Sequence, residues 1–181
     1  MCGIAGVIGA RSIERVQAML PLMVHRGPDG EGIWSPHKNI TLGHRRLAIN
    51  DLSKDGAQPM LSDDKKIAIV VNGEIYNYPE LRKQLEIQGA IFRSHCDSEV
   101  VIHAWQHWGQ DCFERFNGMF AIGLYDSRQD LLILARDRLG IKPLYYTQAK
   151  HGLVFASETK SLLAGLDEGS PEIDPIGLNQ Y

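Results

Sequence analysis

Long apolar runs are missing from this sequence. No segment approaches the roughly 18 consecutive apolar residues that cross a bilayer, so no membrane span is expected. An excess of positive charge is missing too. The 19 Lys and Arg stand against 22 Asp and Glu, a net charge of −3. Nucleic-acid binders gather cations on one face, so this balance argues against a phosphate-binding surface. Cysteine is scarce: Cys2, Cys96 and Cys112 form an odd set with no disulfide framework, which suits a reducing cytosol. Charge runs, low-complexity stretches and internal repeats are all lacking. The short, glycine-broken apolar run near the start has no basic segment ahead of it and Arg11 behind it, so it does not read as a secretory leader.

What is present is an ordinary globular composition, 44% apolar over 181 residues, enough for one sizeable core. Short β-branched or aromatic stretches predict strands at Gly3–Ile8, Ile40–Ile49, Ile67–Val71, Gly118–Tyr125, Leu131–Ala135 and Leu153–Ala156. A helix is expected over Ile13–Val24, with Ile13, Val16, Leu20 and Val24 on one face. A second is expected over Pro79–Gln88, stopped by Gly89. A third starts near Asp97 and ends at Gly109, and a short fourth follows Ser157. Strands come in consecutive pairs with helices grouped between them, so packed antiparallel sheets flanked by helices fit better than alternating βαβ units.

The opening "MCGIAGVIG" poses a chemical question. Chain ends are usually frayed and polar, yet this one carries a cysteine and then a core-like run. Removal of Met1 would give Cys2 a free α-amine. A thiol titrates at about 8.5 and an α-amine at about 7.7–8.0, so the amine can take the thiol proton at neutral pH. Pairing a nucleophile with a terminal amine is one recognised way of activating it. The bland alternative is a small buried hydrophobe. Gly3 is expected to clear space for substrate beside the nucleophile.

Attack on an amide carbonyl needs donors for the developing oxyanion. In "VVNGEIYNY", Asn72 and Gly73 close an apolar strand and could supply a side-chain amide and a backbone N–H. An Asn-Gly hairpin turn is the competing reading. In "GHRRLAIND", alternation puts Arg45 and Arg46 on opposite faces, so one can turn inward and hold a carboxylate. Asp97 could hold an ammonium, or could simply cap the helix that follows it. "HRGPDGEG" (25–32) is expected to pack beside the nucleophile strand, and "RDRLGIKPLYY" reads as a loop joining two strands. His95, Cys96, His103, His107 and Cys112 have metal-ligand chemistry but no C-x-x-C or H-E-x-x-H core, so His103 and His107 read as solvated surface histidines.

Together "MCGIAGVIG", "HRGPDGEG", "GHRRLAINDLSKDGAQPM", "VNGEIYNYPELRKQL", "CDSEVVIHAW", "FNGMFAIGLYD" and "LARDRLGIKPLYY" resemble the glutaminase domain of glutamine-hydrolysing asparagine synthetases. These are class II glutamine amidotransferases among the N-terminal-nucleophile hydrolases. The resemblance implies an α+β fold, a four-layer α/β/β/α sandwich of two antiparallel sheets. It implies Cys2 as nucleophile, and Asn72 with the Gly73 N–H as oxyanion hole. It selects Arg46 for the glutamine α-carboxylate, Leu47, Ala48, Ile49 and Asn50 as pocket lining, and Glu74 with Asp97 for the α-ammonium. No metal or cofactor is implied for the domain itself. Residues 1–165 would form the glutaminase domain and 166–181 a linker toward an absent synthetase domain, whose S-G-G-x-D-S loop does not occur here. That partner would need ATP and Mg and use the ammonia. The acceptor could be aspartate, a sugar or a peptide acid; a non-catalytic module on the same fold is the remaining alternative. A cytoplasmic protein is expected, with homodimerisation left open.

Overall fold

The computed structural model describes residues 1–48, 56–150, 152–166 and 175–176. Two antiparallel sheets lie face to face. The first has the order β2 (Gly30–His37), β3 (Ile40–Arg46), β1 (Gly3–Gly9), β9 (Gly152–Ala156), β8 (Tyr145–Ala149). The second has the order β4 (Met60–Leu61), β5 (Ile67–Ile75), β6 (Gly118–Asp126), β7 (Leu131–Arg136). Helices α1 (Ser12–Met19) and α5 (Thr159–Ala164) cover the outside of the first sheet, while α2 (Tyr78–Ile87), α3 (Glu99–Trp108) and α4 (Cys112–Arg115) cover the second.

Three apolar clusters glue these four layers together. Ala5, Val7, Val154 and Ala156 pack against Val16, Met19, Leu20 and Met23. Between the sheets lie Ile4, Ile40, Leu42, Ala68, Val70, Ala121, Tyr125 and Phe155. Beyond the second sheet, Ile67, Ile69, Val71 and Ile75 meet Leu81, Leu85, Val101 and Trp105. The period of two along β3 and β5 sorts alternate residues into neighbouring layers. Phe155 fills the inter-sheet space only because Gly6 and Gly123 lack side chains: a Cβ on either would stand 2.1 Å or 2.7 Å from its ring.

Most expected elements are present, with informative shifts. The first helix gives way after Met19 to a 3₁₀ turn, Leu20–Met23, which carries Pro21. Its buried face is Ser12, Arg15, Val16, Met19, Leu20 and Met23, and Ile13 and Val24 are exposed, because that face also has to seat Arg15 on the Gly165 carbonyl at 2.7 Å. Strands β2, β4 and β8 were not expected. Their sequences, such as GEGIWSPH and YYTQA, are short, polar or interrupted, and pairing with neighbours supplies what propensity does not. The β5 strand runs through Asn72-Gly73 to Ile75 in unbroken register with β6, which rules out the hairpin turn.

Candidate active site

The cysteine end of β1 is tied down by its neighbours. The Ile4 N–H donates to Ser157 Oγ at 3.0 Å, and the Ser157 N–H donates back to the Ile4 carbonyl at 2.9 Å. Arg26 Nε, from the "HRGPDG" turn, donates to the Cys2 carbonyl at 2.9 Å. The Leu47 N–H points at Cys2 Sγ from 3.4 Å. A residue beside the terminus is thus held by strand, turn and loop together.

Cys2 opens into a cleft of about 150 Å³ at one end of the inter-sheet space. Arg46, Leu47, Ala48, Asn72, Gly73, Glu74 and Asp97 line the same cleft, so every expected site residue within the described part of the chain converges there. Ile49 and Asn50 lie outside the described residues. Alternation along β3 carries the inter-sheet face from Ile40 and Leu42 to His44 and Arg46. Arg45 points the other way, its Nη1 on Glu31 at 2.8 Å and its Nε on the Gly27 carbonyl at 3.0 Å. Along β5 the same face passes from Ala68 and Val70 to Asn72 and Glu74.

The edge of β5 beyond β4 is chemically uneven. Odd-numbered residues there direct their backbone groups away from β6, as antiparallel alternation requires. The Val71 N–H goes to Gln58 Oε1 at 2.6 Å and the Ile75 N–H to Asp97 Oδ2 at 2.8 Å. Between these two capped amides the Gly73 N–H faces the cleft. A Cβ at Gly73 would lie 2.1 Å from the Met119 carbonyl oxygen, so only glycine lets the two strands approach this closely. Asn72 is 1% exposed, and its Nδ2 has no hydrogen-bond partner among the described residues. A buried amide donor without a partner is costly unless a ligand accepts from it.

The charges fall into two pairs of opposite sign: Arg46 and Lys142, Glu74 and Asp97. Asp97 does not cap α3; the cap position is Ser98, and the Asp97 carboxylate instead accepts the Ile75 N–H and the Cys96 S–H. Burial pushes its carboxyl above the usual range, against the Ile75 hydrogen bond that pulls it down. A cation brought beside it relieves that penalty. Burial likewise raises the Cys96 thiol, helped by the Asp97 charge.

Several cleft residues were not foreseen. His44 and Gln58 stand at the inner wall, and Lys142, in the loop after β7, is 6% exposed with its Nζ 3.3 Å from Met1 Sδ. His44 could have been found from its place two residues before Arg46; Gln58 and Lys142 carry no local signal. One expectation is overturned. Gly3 faces the helical layer, where a Cβ would sit 3.2 Å from Met23 Cβ and Sδ, so it makes room for the turn after α1 and not for substrate. His103 also differs from expectation, packed on Phe92 with ring centroids 4.3 Å apart, whereas His107 is exposed as expected; Cys112 is buried in the helical core. Among the described residues no group of three His, Cys, Asp or Glu side chains converges as a metal site, and no helix is long and apolar enough to cross a membrane.

Comparisons with known proteins identify the family of the chain. Residues 1–181 match the family described as "Glutamine amidotransferase domain". The chain is 37% identical over 187 residues to asparagine synthetase [glutamine-hydrolyzing] 3 of Bacillus subtilis strain 168, covering 99% of this chain and 30% of that protein. It is 41% identical to a putative asparagine synthetase [glutamine-hydrolyzing] 2 of Methanocaldococcus jannaschii, covering 91% and 35%. It thus spans about a third of the length of these relatives. Glutamine PRPP amidotransferase from B. subtilis shares the fold, with a TM-score of 0.77 at 24% identity over 91% of this chain and 43% of that one. A match along the whole length makes this chain a member of the glutamine amidotransferase domain family.

Proposed function

We propose that this domain hydrolyses the side-chain amide of glutamine, with Cys2 as nucleophile once Met1 has been removed. The observation that carries the reading is the sharing of one cleft by the Cys2 thiol, a buried Asn72 Nδ2 with no partner among the described residues, a backbone N–H at Gly73, and charges of both signs. The freed α-amine takes the Cys2 proton, and the thiolate adds to the amide carbon. Asn72 Nδ2–H and the Gly73 N–H hold the oxyanion. The C–N bond breaks, ammonia leaves with the proton from the ammonium, and a thioester remains. Water, deprotonated by the same amine, adds to the thioester; the second oxyanion collapses and releases glutamate and the thiol. Arg46 holds the α-carboxylate, and Glu74 with Asp97 holds the α-ammonium.

The relatives' length supports a second domain, in the same protein or a partner, that activates an acid with ATP and Mg and consumes the ammonia. Their identity as asparagine synthetases favours aspartate as acceptor. Residues 1–165 form the glutaminase unit in this reading, which also places the protein in the cytoplasm. The test is release of glutamate and ammonia from glutamine by a preparation whose intact mass lacks Met1. Turnover by molecules that retain Met1 would overturn the amine as base.

A further inference from the structure

The oxyanion strand is held by two side chains from elsewhere in the fold. β4 pairs with β5 at Ala68 and Ile69, so the next outward-facing peptide groups, those of Val71, have no strand beside them among the described residues. Gln58 Oε1 accepts the Val71 N–H at 2.6 Å. His44 Nε2 lies 3.3 Å from the Val71 carbonyl oxygen. A carbonyl oxygen can only accept, so Nε2 carries the proton and Nδ1 is the bare acceptor of a neutral imidazole. His44 is 1% exposed, and Nδ1 is buried with no partner among the described residues, so the ring is anchored through Val71 alone.

The strand carrying His44 also carries Arg46, and Val71 immediately precedes Asn72 and Gly73. We propose that His44 and Gln58 clamp both backbone groups of Val71, and so fix the oxyanion donors of one sheet relative to the carboxylate-binding arginine of the other. They are positioning residues, acting on the oxyanion donors through Val71. Donors misplaced by about 1 Å can lower a rate on the order of a hundredfold while leaving ground-state contacts in place. The burial that drives His44 down to about 4 keeps the imidazole neutral across the working pH range, so the clamp does not switch.

This inference rests on the Cys2 reading, and the experiment separates the two. His44→Phe removes the donor to the Val71 carbonyl and Gln58→Leu the acceptor from its N–H. Each should lower kcat for glutamine hydrolysis by about 10- to 100-fold, with KM changed less than about threefold. Alkylation of Cys2 by iodoacetamide, followed by peptide mass, forms a C–S bond as iodide leaves and needs no oxyanion hole; its rate should stay within about twofold of wild type. Where His44→Phe does not fold, Gln58→Leu alone decides. A raised KM with unchanged kcat, or alkylation falling in step with kcat, overturns the clamp. So does wild-type kcat in both variants while Cys2→Ala is inactive. Turnover surviving in Cys2→Ala overturns the nucleophile assignment and the clamp with it.

Discussion

The two halves of the space between the sheets are walled by the same strands, on the same faces, yet differ in chemistry. In one half β3 and β5 present Ile40, Leu42, Ala68 and Val70, closed over by Phe155. In the other half the next residues in the same rows are His44, Arg46, Asn72 and Glu74. The first half is buried and apolar. The second leaves the Asn72 Nδ2 without a partner among the described residues and a carboxyl at Asp97 raised by burial. A sandwich of this kind holds itself together at one end and keeps unsatisfied polar groups at the other, where a ligand can complete them.

That division can be broken at several points, beginning with the largest effect. Cys2→Ala should lower glutamine hydrolysis by at least about 10³-fold while thermal unfolding stays cooperative, since the thiol belongs to the polar half. A lost unfolding transition would show that Cys2 also holds the fold. Phe155→Ala should destabilise the protein by about 3–5 kcal/mol, seen in denaturant melts, because the space between Gly6 and Gly123 would empty. KM for glutamine should hardly move; a large rise would mean the halves are mechanically coupled.

The next effect concerns pH. His44 takes its proton near 6.5 when unfolded and near 4 when folded, so between those values the unfolded chain binds more protons. Stability should therefore fall as pH drops through this window, by up to about 3 kcal/mol. His44→Phe should flatten that part of the curve in melts from pH 7 to 4, and an unchanged slope would place the loss elsewhere. Smallest is the contrast between neighbours. Arg46→Ala should raise KM for glutamine by about 10- to 100-fold, the loss of a charge-assisted contact. Arg45→Ala, which removes the contacts to Glu31 and the Gly27 carbonyl on the other face of the strand, should leave KM alone. Equal KM effects would break the strand-face assignment.

Much of this division was legible in the residues. Alternation along "GHRRLAIND" put the two arginines on opposite faces, and it does so in the structure. Asn72 and Gly73 were singled out for an amide and a bare backbone, although the strand was expected to stop before them. The reason it continues lies in β6, which pairs with Asn72, Gly73, Glu74 and Ile75 in turn. Asp97 shows the opposite case. As a sequence it reads equally well as a helix cap, and only the approach of Ile75 diverts its carboxylate to the β5 edge. Gln58 and Lys142 were illegible because nothing local distinguishes a loop glutamine or lysine from a solvated one.

By itself the sequence determined which residues could do chemistry, and through its period of two it determined which face of each strand they occupy. Local sterics are enough for that. Only the tertiary structure decided that one end of the inter-sheet space is closed by Phe155 and the other left open over Cys2. It also decided that Val71, beyond the reach of β4, is held by His44 and Gln58. Those outcomes depend on contacts between residues far apart in the chain, and no local pattern encodes a distance.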